Sequence, residues 1–129
     1  MRCQAERMFG ELMQTGLGPI SFMAMPLGIQ RVAFAPLSAL KGSLTSQDNI
    51  PSWEAFDIVK RMVVELNEYL EGRREAFTIA IDWHNMTDFQ RRVLQITCTI
   101  PFGKVLTYGA IAQQLAQPQA ARAVGRALA

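Results

Sequence analysis

The chain has 129 residues, of which 50% are hydrophobic and 19% are charged, a balance typical of one folded domain or two small ones and not of a disordered protein. Two cysteines and one histidine are too few for a disulfide framework or a convincing zinc site, so we expect no metal and no cofactor. The start of the chain lacks the apolar core of a signal peptide, and Pro26 and Gly28 break the longest apolar stretch. We therefore expect an intracellular, cytoplasmic protein that does not span a membrane.

The net charge of +2 hides an uneven distribution along the chain. Residues up to Asp88 carry all eleven acidic side chains and eight basic ones, whereas residues from Phe89 onward carry five basic side chains and no acidic one. A basic half suggests a polyanionic partner, although a solvated basic face explains five charges equally well until their placement is known. The five are Arg91, Arg92, Lys104, Arg122 and Arg126.

Residues 11–34 have the pattern of β structure. Two apolar runs, 20–25 and 29–34, flank the short turn 26–28 and predict a hairpin, and the preceding TGLGP at 15–19 has turn chemistry. Residues 36–51 are rich in Ser, Gly, Asn and Pro without a clean period, so we expect a loop with room for one helical turn.

The strongest periodic signal predicts a helix over residues 53–70, with Ser52 as its N-cap and Gly72 as its stop. Its apolar stripe, which we interpret as core, contains Trp53, Phe56, Val59, Val63, Leu66 and Leu70. Residues 77–83 then alternate apolar and polar side chains, with Phe77, Ile79, Ile81 and Trp83 on one side. This period predicts a strand that joins the hairpin in one antiparallel sheet, with the helix packed on a face.

Three shorter helices are predicted in the basic half. A capping box of Thr87 and Gln90 begins the first, which ends before Pro101. Thr107 caps the second, and Pro118 begins the third, with Val124, Ala127 and Leu128 toward the core and the two arginines of this helix outward. Two short helices joined by a tight turn indicate a helix-turn-helix, whose second helix enters a DNA groove.

The segment FQRRVLQITCTIPFGKVLTYGAIAQQLAQPQAARAVGRAL closely resembles the helix-turn-helix half of the O6-alkylguanine-DNA alkyltransferases, also called methylated-DNA–protein-cysteine methyltransferases. The resemblance covers roughly residues 11–129 and is strongest after residue 66. The matching pieces, at matching intervals, are Phe89-Gln90, Val93, Ile100-Pro101-Phe102-Gly103, Thr107-Tyr108, Leu115-Ala116, Pro118 and Ala121-Arg122-Ala123-Val124-Gly125.

The resemblance implies an α+β protein. Residues 1–84 would form an N-terminal domain with an antiparallel sheet and helix, ribonuclease H-like, and residues 85–129 a winged-helix or helix-turn-helix DNA-binding part. The partner would be double-stranded DNA carrying O6-alkylguanine, with no membrane and no obligate protein partner, and the protein would be nucleoid-associated if bacterial. The family flips the damaged base out of the duplex, because an enzyme cannot reach it inside the stack.

The same resemblance assigns DNA-binding residues. Arg122 would fill the gap left by the flipped base, and Tyr108 would crowd the phosphate and line the base pocket. Without the resemblance, a solvated arginine and a packing tyrosine are the simpler interpretations. The full set carried over is Thr107, Tyr108, Gln117, Ala120, Ala121, Arg122, Gly125 and Arg126, whose small members would let the helix lie deep in a narrow groove.

The family transfers the alkyl group irreversibly to a cysteine in a Pro-Cys-His-Arg motif, assisted by a histidine and a glutamate, and each molecule reacts once. These groups are not among the 129 residues. We therefore expect the acceptor beyond Ala129, assign no catalytic residue, and expect the 129-residue chain to be a shortened and inactive form with an incomplete DNA-binding domain. Cys3 precedes the first turn, and we expect Cys98 to be buried and inert.

Two other functions are compatible with these features. A non-catalytic protein that binds the alkyl lesion, like the alkyltransferase-like relatives, would share the DNA-binding half but not the acceptor. An ordinary helix-turn-helix transcription regulator would share the helix pair, but the upstream sheet domain disfavours it.

Overall fold

The computed structural model describes residues 5–41, 49–50 and 52–129. The chain divides into two compact units, Met1–Asp82 and Trp83–Ala129. The predicted α+β class is confirmed, since strands and helices form the first unit and helices the second. The ribonuclease H-like assignment of the first unit stays a prediction.

Two small sheets and two helices make up the described part of the first unit. Strands β2, β3 and β4 form an antiparallel sheet in that order, and β1 pairs in parallel with β5. Much of the expected 36–51 loop, at 42–48 and 51, lies outside the described residues. The elements are β1 Ala5–Glu6, β2 Met8–Leu12, β3 Ile20–Met25, β4 Gly28–Ala33, α1 Leu37–Lys41, β5 Asn49–Ile50 and α2 Trp53–Leu70.

The predicted hairpin is confirmed as β3 and β4, which pair antiparallel from Ser21 with Ala33 to Met25 with Gly28. The predicted turn before it is also present, because the Gly18 amide donates to the Thr15 carbonyl at 3.0 Å. Opposite β3, Gly10 on β2 leaves room for the buried Phe22 ring, since a Cβ at position 10 would lie 2.3 Å from Phe22 Cε2. Phe22 therefore covers the sheet where β2 has no side chain.

Helix α2 begins and ends as predicted: Ser52 Oγ accepts from the Ala55 amide at 3.2 Å, and Gly72 follows the helix with a φ of +76°. The predicted core stripe is wrong at its ends, because Trp53 is 83% exposed and Phe56 and Leu70 are also exposed. The face that packs on the sheet is rotated toward the small Ala55. The core there consists of Ile20, Phe22, Ala24, Ile29, Ala55, Met62 and Leu66.

The predicted strand over residues 77–83 is wrong. This segment makes one isolated bridge, in which the Ile29 amide donates to the Ala80 carbonyl and the Asp82 amide donates to the Ile29 carbonyl, both at 2.9 Å. The bridge is parallel and not antiparallel. Nearby, the Glu65 carboxylate accepts from the Thr78 amide at 2.7 Å.

The second unit contains α3 Asp88–Thr97, α4 Tyr108–Gln114 and α5 Ala121–Leu128. The predicted capping box of α3 is confirmed, with Thr87 and Gln90 each bonding the other's backbone amide at 3.1 Å. The three helices enclose a small apolar core of Val93, Ile111, Ala112, Leu115 and Val124, flanked by Phe89, Ile96, Ala120, Ala127 and Leu128.

The predicted start of the third helix at Pro118 is wrong, because α5 begins at Ala121. Helix α4 closes first: Ala116 has a φ of +58°, and the Gln117 amide donates to the Ala112 carbonyl at 3.0 Å. This is the Schellman closure of a helix. Pro118 then occupies the second position of a turn that the Ala120 amide closes on the Gln117 carbonyl at 2.9 Å, a position that proline favours.

Candidate nucleic-acid interface

One side of helix α5, its inner side, packs on the core of the second unit, so the opposite or outer side faces solvent. Val124 is fully buried, and Ala127 and Leu128 pack against the same core. Residues one helical turn apart share a face, so Arg122 and Arg126 both lie on the opposite side and are exposed, as predicted.

The outer side of α5 and the start of α4 together form a shallow cavity of about 570 Å³. Tyr108 is the first residue of α4, and Thr107 holds this end in place by accepting from the Ala110 amide at 3.0 Å. Tyr108 is 53% exposed, and its ring lies beside Gly125. The cavity is lined by Tyr108, Ala121, Arg122, Gly125, Arg126 and Ala129.

A second surface depression, of about 500 Å³, lies at the amino end of α5 and is lined by Gln117, Pro118, Gln119 and Ala120. Ala120 occupies the N-cap position and makes no side-chain bond to the helix. The first amides of a helix have no partners within the helix, and they attract anions. This end of α5 therefore offers amide donors and two glutamine side chains to an approaching anion.

The structure distributes the eight predicted DNA-binding residues over three places. Five of them line the first cavity: Tyr108, Ala121, Arg122, Gly125 and Arg126. Gln117 and Ala120 line the second, although Ala120 also packs on the core. Thr107 lines neither and serves as the N-cap of α4.

Sequence reasoning did not select Pro118, Gln119 or Ala129, which complete the two cavities. Ala129 follows Arg122 and Arg126 at helical spacing, so periodicity alone indicates that it shares their face. Pro118 and Gln119 lie in the turn that was predicted to be helix.

The charge of the second unit is strongly one-sided. It carries five basic side chains and a single acidic one, Asp88, at the start of α3. One of the five has a structural contact, since Arg92 Nη2 lies 3.5 Å from the Leu115 carbonyl at the end of α4. The two arginines of α5 are the cations that line the first cavity.

Cys98 is exposed, so the prediction that it is buried is wrong. It follows the last residue of α3, where its amide donates to the Leu94 carbonyl at 2.9 Å. Within the ranges that the structure describes, no His, Cys, Asp and Glu side chains cluster as they would around a metal ion. None of the described helices is long and apolar enough to cross a bilayer.

Comparison with known proteins gives matches for both units. Residues 88–129 match the family model described as the DNA binding domain of 6-O-methylguanine DNA methyltransferase. The chain is 31% identical over 122 residues to a methylated-DNA–protein-cysteine methyltransferase of Methanosarcina barkeri. This match covers 93% of this chain and 72% of that protein. It is 37% identical over 87 residues to the inducible methylated-DNA–protein-cysteine methyltransferase of Bacillus subtilis, with 67% of this chain covered.

The chain spans 44% of the length of the Bacillus subtilis relative. Among solved structures, it is similar to that of Mycobacterium tuberculosis OGT in complex with DNA, with a TM-score of 0.71 and 29% identity, over 92% of this chain and 67% of that one. The likeness extends over both units and the match to the Methanosarcina barkeri protein covers most of either chain. The chain therefore belongs to the family of methylated-DNA–protein-cysteine methyltransferases.

Proposed function

We propose that this chain binds double-stranded DNA through α5 and takes part in the repair of O6-alkylguanine. The observation that carries the proposal is the outer face of α5, where Arg122 and Arg126 flank Gly125 and the exposed Tyr108 ring lies at the edge. Membership of the family and the likeness to a relative solved with DNA support it.

DNA binding by this face would combine two kinds of contact. The arginines, the amides at the amino end of α5 and the glutamines of the preceding turn suit phosphate oxygens. The small side chains Ala121 and Gly125 would allow the helix to approach the duplex closely. Because only a few cations carry the phosphate contacts, we expect weak affinity with a shallow dependence on salt concentration, since the slope grows with the number of phosphates that are neutralised.

Reaction at O6 of guanine requires the base to leave the stack. In the proposed complex, Arg122 occupies the space that the base leaves, and Tyr108 crowds the phosphate beside it. The alkyl carbon would then pass from O6 to a cysteine sulfur, so that one C–O bond breaks and one C–S bond forms, and guanine is restored when the proton that the thiol gave up reaches the base. A thiolate is needed for this attack.

We do not assign Cys98 as the acceptor. It lies past the end of α3, outside the residues that line the cavity of Tyr108 and Arg122. A reactive cysteine needs a neighbouring base or positive charge in a defined site, whereas an exposed thiol beyond a helix end is a surface group.

Fluorescence anisotropy with two duplexes, one containing a single O6-methylguanine and one unmodified, tests the DNA-binding part of the proposal. We expect Arg122→Ala to weaken binding about tenfold, as for loss of one well-placed contact. Arg31→Ala, which removes another exposed arginine from the first unit, is the matched control and should leave the affinity within about twofold. Equal losses for both variants, or no binding by the unmodified chain, would contradict the proposed interface.

Labelling tests the chemistry separately. The chain is incubated with duplex carrying a radiolabelled O6-methyl group, and peptides are analysed by mass spectrometry. We expect binding without label on Cys98, and a methyl group on Cys98 would overturn our exclusion of it. A longer form of the protein that binds the lesion and leaves the methyl group on guanine would support the non-catalytic alternative.

A further inference from the structure

Gly125 is the only glycine of α5 and lies in the middle of the helix, where glycine is the least favourable residue apart from proline. An alanine would be a better helix former at this position. The backbone of Gly125 does not require a glycine, because its φ is not in the left-handed range. We therefore expect a steric reason for the absence of a side chain.

The steric reason is the Tyr108 ring. A Cβ built on Gly125 would lie 3.1 Å from Tyr108 Cε2, 3.2 Å from Cδ2 and 3.7 Å from Cζ. The first two separations are tighter than ordinary van der Waals contact between carbon atoms. The edge of the ring therefore occupies the space that a side chain at position 125 would fill.

Gly109, the other helical glycine of the second unit, offers a comparison. It lies in α4 next to Tyr108, and, its two chain neighbours aside, a Cβ built there would meet Thr107 Oγ1 at 3.9 Å. Both positions are helical glycines in short helices of the same small unit. At Gly125 the close atoms belong to a ring that is distant in sequence, and at Gly109 they do not.

We propose that Gly125 is a positioning residue that seats the Tyr108 ring against α5, beside Arg122 and Arg126. The role of Tyr108 toward DNA rests on the proposed function, whereas the seating of the ring does not. Because Gly125 has no side chain, the Tyr108 ring can pack close to the backbone of α5 at this position. The distance between the tyrosine and the two arginines, and with it the shape of the cavity that they line, depends on this close packing.

A methyl group at position 125 moves the ring without unfolding the helix. Tyr108 is half exposed, so its ring can shift outward by a few tenths of an ångström or rotate into solvent. Alanine also favours the helix more than glycine does. Gly125→Ala therefore separates the position of the ring from the stability of α5.

Nuclear magnetic resonance of the 129-residue chain without DNA tests the seating. In the unmodified chain, the Gly125 α protons should show contacts to the Tyr108 ring protons and ring-current shifts that disappear in Tyr108→Ala. In Gly125→Ala, the chemical shifts of the Tyr108 ring protons should change by more than in Gly109→Ala, where the added methyl group is a neighbour of Tyr108 along the chain. Absence of the ring contact in the unmodified chain, or equal changes in both glycine variants, would overturn the proposal.

A double-mutant cycle on duplex DNA then tests whether the seating serves binding. We expect Gly125→Ala to weaken binding about five- to tenfold, the lower range for one displaced contact, and Gly109→Ala to change it by less than about twofold. In a Tyr108→Ala background, Gly125→Ala should have no further effect because no ring remains to be displaced. An equal loss in both backgrounds would show that Gly125 acts only by admitting the duplex and would overturn the positioning role. No binding by the unmodified chain would overturn the proposed function and leave the seating to the magnetic resonance result.

Discussion

Replacing Glu65 by glutamine should destabilise the first unit far more than the same change at Glu68, on the same helix. The Glu65 side chain is 5% exposed, and its Oε1 accepts from the amide and the hydroxyl of Thr78, both at 2.7 Å, and lies 3.0 Å from Arg74 Nη1. The Glu68 side chain is 25% exposed and pairs with the same arginine, also at 3.0 Å. Glutamine keeps the size of either side chain and removes its charge.

The expected loss of stability depends on the ion pair that Arg74 retains after Glu65 is replaced. Removing one partner of a buried ion pair costs about 3–5 kcal/mol when the other charge is left unpaired. Here Arg74 is 24% exposed and retains Glu68, so we expect a smaller loss, about 2 kcal/mol, for Glu65→Gln. The more exposed pair should contribute about 0.5 kcal/mol, as measured for surface pairs.

The stability that the Glu65 charge contributes should decrease as the pH falls. Burial raises the pKa of Glu65, but the hydrogen bonds from Thr78 and the charges of Arg74 and Arg61 outweigh burial, so the pKa lies below its ordinary value of 4.5. At mildly acidic pH the unfolded chain therefore binds a proton that the folded chain does not. The stability contributed by the Glu65 charge is fully present above the ordinary pKa and is lost as the pH falls through the pKa of the folded state.

Urea unfolding followed through the amide resonances of α2 measures these free energies for the first unit alone. The difference between the unmodified chain and Glu65→Gln should be constant from about pH 6 to 8 and shrink below about pH 4.5, where the carboxylates take up protons. Equal losses for Glu65→Gln and Glu68→Gln, or a difference that grows as the pH falls, would refute the reasoning.

Two further substitutions test local features of the fold. Gly28→Ala should destabilise the first unit by about 3 kcal/mol, because position 28 has a φ of +151° and a Cβ there would lie 2.5 Å from the Ala80 carbonyl oxygen. Gly18→Ala, with a φ of +84° and open space around it, should cost only about 1 kcal/mol, and similar urea midpoints for the two variants would contradict the clash. Thr87→Ala removes half of the capping box with Gln90 and should destabilise α3 by about 1 kcal/mol, measured by amide hydrogen exchange; unchanged exchange would show that the cap is dispensable.

The features that the sequence predicted correctly are those decided by neighbouring residues. Ser52, Thr87 and Thr107 each cap the helix that follows them, because a hydroxyl two or three residues before a free amide needs no distant partner. The β3–β4 hairpin likewise depends on its own turn. Local chemistry is sufficient in these cases.

The features that it predicted wrongly depend on distant partners. The alternation over residues 77–83 has the period of a strand, but the segment pairs with β4 at a single bridge, and its Thr78 amide bonds Glu65, thirteen positions earlier. Trp53 has the spacing of a core residue and is nevertheless exposed, because the sheet packs on the side of α2 that carries Ala55. Neither the buried carboxylate nor the rotation of the helix can be recognised from the periodicity of apolar residues in the sequence nearby.

The candidate interface combines both kinds of feature. The outward placement of Arg122 and Arg126 could be predicted, since helical spacing and the apolar residues of α5 suffice to place them. The contact between Tyr108 and Gly125 could not, because it depends on the angle between α4 and α5. That angle is decided by how Ile111, Leu115 and Val124 pack in the core.

The orientation of the proposed DNA-binding face is thus a consequence of weak helix formation in α5. The helix has eight residues, a central glycine and no side-chain cap at Ala120, and an isolated helix of this length is not stable in water. Its helical form must come from burial of Val124 against the core, with Ala127 and Leu128 beside it. Because packing of the inner side stabilises the helix, the outer side can carry two arginines and a glycine that contribute little to folding. The same dependence means that any substitution that loosens Val124 should weaken DNA binding without touching a residue of the interface.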